Sequence, residues 1–575
     1  MTSPFRRHAL AACLVVAAAA PEAPRASLTI AIDTSQIAAV SSPALVSQAW
    51  ESWGALFQFA HLHSDPRLIA IASHLAPGVL RIGGITADWV RYPADGNSFG
   101  GSGGGTGGVW PATPMNLSAA GLASMAAFTS AANLSLLLDL NELYGRNCSL
   151  VRPDCPYTPP APPPAWCTEW CGTPPTHPDW DTSNLRALLA GLHANGTGGP
   201  GAPPFAYELG NELLGHLGLQ SNAADVARGH ALLAEVWGDA AHRPALAAPA
   251  TWSCQDADGS GALMSNFSAA GSAEAFSFHM YPAGQQPSFA SYAARVTDAA
   301  WLRGGLLEDP ATNASACLAD WGAGPRAAGL DLWVTEANSG SGGAAQAPGP
   351  ASFAGAFYTL AQYGLFARAG VPLVARFGLC CDAPGTGGLS TVTYDAATDA
   401  FAVVPDFWVM LLRKRTAGDA ALAVSGDAAP GSPAAVFASC AVVDGAAADL
   451  SQFAPPRVVG SDVLRPRLTG GNGSVAVTAV NTAANGTLLL ALTDAAGAPL
   501  ATTPRLEWVL TAPSLAADAP VLNGNAGAPL RVGPDGALPP LPGRFVGAGG
   551  PSEIALPPLS QAFIVLLGAG APACR

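Results

Sequence analysis

The stretch FAYELGNEL, residues 205–213, is an apolar run that ends abruptly in two polar residues, Asn211 and Glu212. A second run, LDLWVTEANSG at residues 330–340, ends in the same way at Thr335 and Glu336. Short continuous apolar runs are typical of buried parallel strands. Because polar residues at the C-terminal ends of such strands line the functional face of a barrel, we predict that the two glutamates lie at one mouth.

Working outward from these two runs, the chain contains eight such segments, with helical patterns between them, for example at 183–192, 223–236 and 351–369. Eight strand–helix units over this length predict an α/β fold, a (β/α)8 TIM barrel. The predicted strands are 45–49, 79–82, 134–140, 205–209, 245–250, 275–278, 330–334 and 373–377.

The pattern of apolar residues changes after a predicted last helix at 401–415. Short alternating runs with Gly, Asn and Pro turns follow, which predict a C-terminal antiparallel β-sandwich domain. The N-terminus carries Arg6 and Arg7 ahead of a short apolar segment, a pattern typical of a secretory signal. The predicted divisions are 1–26 signal peptide, 27–40 strand joining the sandwich, 41–417 catalytic barrel with a Cys/Pro-rich insertion at 143–181, and 418–575 sandwich.

The composition limits the class of partner. The formal net charge is −14, and only 11% of residues are charged. Nucleic acid is not expected as a partner, because phosphate contacts need clustered cations. No apolar run is long enough to predict a transmembrane segment, whereas peripheral membrane or cell-wall association stays open. We expect a monomer that is secreted, or delivered to a lysosome or vacuole through the secretory pathway.

The chain has 11 cysteines, of which Cys13 falls in the predicted signal. The ten that remain fit disulfides in an oxidising compartment. Cys440 and Cys574 bracket the last domain, so a bridge between them would close a long loop. Cys380 and Cys381 could be free, pair with distant partners or bridge each other. Four more lie in the insertion, where irregular spacing favours disulfides over a zinc site: Cys148, Cys155, Cys167 and Cys171.

With these residues placed, the chain resembles the heparanase-like proteins of glycoside hydrolase family 79. The resemblance implies an endo-β-glucuronidase type of enzyme. In this chain Met280 stands where the family has a second histidine, and the family's sulfate-binding basic residues have no obvious counterparts. The stretches that carry it are SDPRLIAIASHLAPGVLRIGGITAD (64–88), NLSLLLDLN (133–141), YELGNEL (207–213), FSFHMY (276–281), LWVTEANSG (332–340) and VPDFWVMLLRKR (404–415).

Two carboxylates suffice for retaining glycoside hydrolysis, in which one protonates the leaving oxygen and the other attacks the anomeric carbon. We assign Glu212 as the acid/base and Glu336 as the nucleophile, and expect them about 5–5.5 Å apart. The alternatives are an ion-paired strand-end glutamate for Glu212 and a surface-loop glutamate for Glu336. No metal and no cofactor are implied.

Further residues are predicted to bind substrate or support the nucleophile. Asn211 is expected to donate to the sugar 2-hydroxyl, and Tyr281 to donate to Glu336. Arg376 is a candidate ion-pair partner of Glu336, or else a core ion pair. The others are Asp88 (alternatively a helix cap), Asn141 and His279 (alternatively structural).

The stretch GTGGLSTV, residues 385–392, resembles a family loop whose backbone amides hold the uronate carboxylate. That likeness makes Gly387, Gly388 and Leu389 candidates for substrate binding, since glycines let backbone N–H groups approach an anion. An ordinary flexible loop is the alternative.

The sequence therefore predicts a secreted retaining hydrolase of β-linked glucuronic acid in a polysaccharide or proteoglycan. One alternative is another barrel glycosidase, such as an arabinofuranosidase or xylosidase. The other is a carbohydrate-binding protein that kept the barrel and lost turnover, which the presence of both glutamates disfavours.

Overall fold

The structure is a computed structural model. The leader up to residue 24, Gly387 and the four cysteines of the insertion lie outside the residues that it describes. Those residues are 25–92, 98–99, 115–143, 180–194, 204–239, 243–252, 254, 263–270, 273–310, 312–382, 388–426, 431–442, 449–453, 456–458, 460–466, 472–524 and 528–575.

Eight parallel strands close into a barrel in which each strand pairs with the next along the chain and the last pairs with the first. All eight predicted strands are confirmed, and with them the (β/α)8 fold. From first to eighth, the barrel strands are Ser47–Glu51, Gly78–Gly83, Leu134–Leu140, Ala206–Leu209, Ala245–Thr251, Ala275–Met280, Asp331–Ala337 and Leu373–Phe377.

Helices connect and cover these strands. The helix Pro66–Ser73 shows why they begin where they do, because Asp65 accepts a hydrogen bond from the Arg67 N–H and proline occupies the first helical position. The other α-helices of the described residues are Ala119–Ala131, Ser183–Ala194, Leu214–Leu217, Leu219–Trp237, Leu263–Ala270, Phe289–Val296, Ala314–Ala323, Phe353–Ala369 and Pro405–Thr416.

The last barrel helix is shorter than the sequence predicts. Residues 401–403 belong to a strand, Ala400–Val403, that pairs with Val392–Asp395. The helix starts only at Pro405, whose ring suits the first helical position. The prediction that the helix begins at residue 401 is therefore wrong, because residues 401–403 belong to a local β-hairpin.

The barrel interior is filled in layers, as expected for this fold. Two residues further along the second, third and fourth strands, on the same faces, the apolar layer gives way to Arg81, Asp139 and Glu208. The charged layer therefore lies nearer to the C-terminal mouth. Members of the apolar layer are Val79, Leu137, Ala206, Ala247, Ala275 and Trp333.

The remaining strands form two further large sheets. The larger runs Ala39–Val40, Ala417–Leu422, Ala434–Ala441, Val475–Asn481, Ser560–Leu566, Arg505–Thr511, Val521–Leu522, with Arg544–Val546 on Arg505–Thr511. The smaller runs Val424–Ser425, Arg25–Ile32, Thr487–Asp494, Glu553–Leu556. A three-stranded sheet near the barrel contains Val90–Arg91, Met115–Asn116 and Ser98–Phe99.

The N-terminal strand Arg25–Ile32 joins the smaller sheet, where it runs parallel to Thr487–Asp494. Three disulfides connect described residues. Cys440 is bonded to Cys574 across 134 residues, and Cys380 is bonded to its neighbour Cys381. The third joins Cys254 to Cys317.

The helix Phe353–Ala369 fixes the barrel against the sandwich. Nearly all of its residues are buried, which explains why its sequence lacks a polar face. Gly364 lies against the ring of Phe437 in the larger sheet, where a Cβ would collide. Among the described residues, no helix is both long and apolar enough to cross a bilayer.

Candidate active site

Glu212 follows the fourth barrel strand and Glu336 lies near the end of the seventh, so both are at the C-terminal mouth. A carboxylate oxygen of each and a ring nitrogen of His279 all lie within 4.8 Å of one another. Retaining hydrolases hold their carboxyl groups ~5–5.5 Å apart, whereas inverting enzymes need ~6.5–9.5 Å to admit a water molecule. The geometry therefore suits direct attack by a carboxylate.

Glu336 is held through both of its carboxylate oxygens. Arg81 donates from Nη1 to Oε2 at 2.8 Å, and the hydroxyl of Tyr281 donates to Oε1. Burial, together with the charge of Glu336, raises the pKa of Tyr281 well above its ordinary value. The tyrosine therefore keeps its proton and remains a donor, while the guanidinium of Arg81 places a positive charge beside the carboxyl group of Glu336.

Arg81 is the charged centre of the barrel and has no exposed surface. Its Nε donates to Glu208 at 2.6 Å, and its Nη2 donates to Asp139 at 3.1 Å and to Asn211 at 2.9 Å. Burial alone lowers the pKa of Arg81, but the carboxylates of Glu208, Asp139 and Glu336 outweigh it and raise the pKa above its ordinary value. The guanidinium is therefore permanently charged and fixed by four strands.

The structure corrects the assignment of Arg376. Its Nε donates to Asp406 at 2.7 Å and its Nη1 to the carbonyl of Phe377 at 2.9 Å, so it is a core ion pair and not the partner of Glu336. Asp406 lies in the first turn of the last barrel helix, where its carboxylate forms the ion pair with Arg376. One residue that sequence reasoning missed is Arg81, whose only signal was a lone charge inside the apolar run VLRIGG.

Glu212 has a different environment from Glu336. Its side chain is 30% exposed, against 9% for Glu336. Its φ of +59° is in the left-handed region, and its N–H donates to the carbonyl of Ala250 at 3.0 Å. Nδ1 of His279 lies 2.9 Å from Oε1, so the two share a hydrogen bond. A strained, oriented and solvent-accessible carboxyl is suited to exchanging protons with a leaving group and with water.

Asp88 and Asn141 organise the backbone of the mouth. Asp88 accepts hydrogen bonds from the N–H groups of Asn211 and Glu142, each at 2.9 Å. Oδ1 of Asn141 accepts from the N–H of Leu143 at 2.7 Å. Both side chains are nearly fully buried, so they position the Asn-Glu segment and the third-strand loop.

Asn211 presents its amide in one defined direction. Its Oδ1 accepts from Arg81, and no described residue accepts a hydrogen bond from its Nδ2. The amide N–H is therefore available to a ligand hydroxyl, as predicted for a contact to the sugar 2-hydroxyl.

Glu51 is a third carboxyl group that the sequence prediction left out. It ends the first barrel strand and accepts hydrogen bonds from the Thr86 N–H, at 3.0 Å, and from the Thr86 hydroxyl. Burial raises its pKa to about 7; the Thr86 hydroxyl opposes this shift, and the charge of Glu336 adds to it. Gly84, with φ of +90°, packs so closely on this carboxyl that a Cβ would overlap it. The signal was available, since Glu51 ends an apolar run as Glu336 does.

The glycine-containing loop is described from residue 388 onward. Among the described residues, none accepts a hydrogen bond from the N–H groups of Gly388 or Leu389. However, Asp382 accepts from the N–H of Ser390 at 2.8 Å, and its carboxylate lies against Gly388. A negative charge beside these amides weakens their attraction for an anion.

Large apolar side chains are also exposed at this mouth. Trp252 follows the fifth barrel strand and is 53% exposed, and Ile85 follows the second and is 38% exposed. The carbonyl of Ala250, two residues before Trp252, accepts the hydrogen bond from the N–H of Glu212, so Trp252 follows a strand end that contacts the Glu212 segment. An exposed indole face can stack on a sugar ring.

The spacing of Glu212, His279 and Glu336 would also allow each to offer an atom to a metal ion. The donor set argues against that use. Both oxygens of Glu336 already accept hydrogen bonds, and one of the donors is the positive guanidinium of Arg81. A cation here would face a fixed like charge, so acid–base chemistry fits the residues better.

Comparisons with known proteins bear on the fold. No family model matches the chain, and no curated protein matches it. Solved structures that are similar include a GH51 arabinofuranosidase from Xanthomonas axonopodis pv. citri (14% identity, TM-score 0.53, covering 94% of this chain and 99% of that one). A 4-O-alpha-L-rhamnosyl-beta-D-glucuronidase from Fusarium oxysporum 12S shares 13% identity (TM-score 0.53, covering 94% and 100%). A bifunctional glucanase-xylanase from a metagenome library shares 15% identity (TM-score 0.53, covering 94% and 99%).

Each of these similar structures is a glycoside hydrolase by name, and each is covered almost end to end. At such low identity the likeness establishes a shared architecture of barrel and β-domain.

Proposed function

We propose that the protein is a retaining glycoside hydrolase with Glu212 as acid/base and Glu336 as nucleophile. The observation that carries the proposal is the approach of their carboxylate oxygens to within 4.8 Å. Glu212 protonates the glycosidic oxygen while Glu336 attacks the anomeric carbon, which gives a covalent glycosyl-enzyme and releases the alcohol. Glu212 then takes a proton from water, whose oxygen attacks the same carbon and releases Glu336 as a carboxylate.

The neighbouring residues support each step through contacts already described. Arg81 and Tyr281 hold and aim Glu336 through their hydrogen bonds, and they stabilise the carboxylate that reforms in the second step. His279 orients Glu212, and the Nδ2 of Asn211 donates to the 2-hydroxyl of the sugar, a contact that strengthens as positive charge develops on the ring.

We further propose β-linked glucuronic acid in a polysaccharide or proteoglycan as the substrate. The support is the resemblance to the heparanase family and the two adjacent amides of Gly388 and Leu389, which have no acceptor among the described residues. A second candidate is a neutral pentoside, as for an arabinofuranosidase. The carboxylate of Asp382 beside Gly388 favours it, because that charge would repel a uronate.

We propose that the protein acts outside the cell or in a lysosome or vacuole. The signal pattern at residues 1–26 supports secretion, or delivery to a lysosome or vacuole, where glycan polymers are met. At the mouth, Trp252 offers an exposed ring to a sugar beyond the cleaved bond, which suits a polymeric substrate.

The test of substrate compares aryl β-D-glucuronide with aryl α-L-arabinofuranoside and aryl β-D-xyloside, following the first-formed anomer by NMR. Release from the glucuronide with retained configuration supports the full proposal. Hydrolysis of a pentoside alone would replace the substrate, and an inverted product would exclude the mechanism. Tight polymer binding without turnover of any glycoside would show a binding protein instead.

The test of roles uses azide with alanine variants of the two glutamates. Glu336→Ala with an activated β-glycoside and azide should give the α-glycosyl azide, whereas Glu212→Ala should give the β-glycosyl azide. Glu274→Ala is a matched control, because Glu274 precedes the sixth strand at the opposite face and pairs with Arg243 at 2.8 Å. It should retain full activity and give no azide product.

A further inference from the structure

A second cavity lies on the face of the barrel opposite Glu212 and Glu336. Its volume is ≈ 120 Å³. Residues that lead into the first and second barrel strands form one side of it, and the end of the last barrel helix with the start of the larger sheet forms the other. Much of the lining is apolar, including Pro43, Leu45, Val46, Pro77, Val442 and Phe453. A mostly apolar lining with a few charged groups is typical of a site for a small ligand.

Three consecutive cations, Arg413, Lys414 and Arg415, line this cavity. Two of them have structural partners. The Nζ of Lys414 donates to the carbonyl of Pro43 at 2.9 Å. Arg415 donates to the carbonyl of Leu450. Hydrogen bonds to the carbonyls of neighbouring segments account for these two residues.

Arg413 is different, because it is 5% exposed and its Nε is buried without a hydrogen-bond partner. No described residue accepts a hydrogen bond from its guanidinium. Burial lowers the pKa of Arg413 to about 10, and the opposing charge of Asp419 only partly offsets this. A buried guanidinium without hydrogen bonds costs free energy, which an oxyanion placed beside it would recover.

We propose that this cavity binds a small carboxylate with an apolar body. The carboxylate pairs with the guanidinium of Arg413, and the body lies against the prolines and aliphatic side chains of the wall. Because the cavity contacts both the barrel end and the larger sheet, the bound molecule stabilises the junction between them. This site is independent of the glycosidase chemistry at the other mouth.

The test measures thermal unfolding of the full chain with benzoate, hexanoate, inorganic phosphate and inorganic sulfate. We expect benzoate or hexanoate to raise the Tm in proportion to the logarithm of its concentration. Arg413→Met should raise the Tm of the ligand-free protein, since it removes a buried charge that the opposing charge of Asp419 offsets only in part, and should abolish the ligand shift. Arg465→Met is the matched control. The side chain of Arg465 is 79% exposed, so this substitution removes the same charge at the surface.

If Arg413→Met fails to fold, Arg413→Lys is measured instead. This variant should need at least a tenfold higher carboxylate concentration for the same rise in Tm, because lysine lacks the planar guanidinium that binds a carboxylate with two hydrogen bonds. Equal shifts in the parent and in the Arg413 variant would overturn the site. A shift with phosphate or sulfate and none with either carboxylate would overturn the assignment of the ligand class, and so would the absence of any shift.

Discussion

Replacing Tyr281 by phenylalanine removes a single hydroxyl that donates to Oε1 of Glu336. The ring volume stays, and Glu336 keeps its 2.8 Å hydrogen bond from Arg81. In the second half-reaction Glu336 leaves as a carboxylate, so negative charge builds up on it in the transition state. The variant should therefore slow deglycosylation more than glycosylation, because the donor matters most where charge is being formed.

The magnitude follows from the kind of hydrogen bond. A hydrogen bond to a charged group contributes about 1.5–3 kcal/mol. If roughly half of the charge has formed in the transition state, about 0.8–1.5 kcal/mol is lost, which corresponds to a rate roughly 4- to 13-fold lower.

The assay is stopped-flow hydrolysis of 2,4-dinitrophenyl β-D-glucuronide, whose good leaving group makes deglycosylation rate-limiting. We expect a burst of dinitrophenol followed by a steady rate reduced by that factor, with kcat/KM changed less. Tyr292→Phe is the control, since it loses a buried hydroxyl contact to Ser339 at 2.5 Å without touching either glutamate. An unchanged steady rate, or equal losses in both variants, would refute the role given to Tyr281.

Three other perturbations test the site. Arg81→Met leaves the buried carboxylates of Glu208 and Asp139 without their cation, so the free energy of unfolding in urea should fall by about 3–5 kcal/mol. A loss below about 1 kcal/mol would contradict the role of Arg81 as the charged centre of the barrel. Glu51 has a folded-state pKa of about 7, above its ordinary 4.5, so the folded protein binds more protons and stability should fall by on the order of 3 kcal/mol as pH rises from 4.5 to 7. Glu51→Gln should flatten that slope in denaturation curves taken across the window, and an unaltered slope would assign it to other groups. Trp252→Ala should raise the KM for a polymer about tenfold and leave the KM for an aryl glycoside unchanged. Phe545 also has an exposed ring, but in the sandwich, so Phe545→Ala should change neither KM.

Much of the architecture is already legible along the chain. Each barrel strand is a local apolar run, and each catalytic candidate is a polar residue at the end of such a run, so both can be recognised without knowing any partner. For the same reason Glu51 was recognisable, and the first predicted strand simply stopped two residues before it.

Only the tertiary structure determined which charged side chains pair with each other inside the barrel. Arg81 and Arg376 have the same local appearance, an arginine within a buried strand, and the sequence does not distinguish them. Arg81 reaches Glu336 across 255 positions, while Arg376 is captured by Asp406 only 30 residues away. Asp88 likewise receives the N–H of Asn211 from 123 positions away, which makes it a positioning residue. Strand identity depends on the hydrophobic pattern of neighbouring residues, whereas hydrogen-bond partners inside a closed barrel depend on the stagger and tilt of strands far apart in the chain.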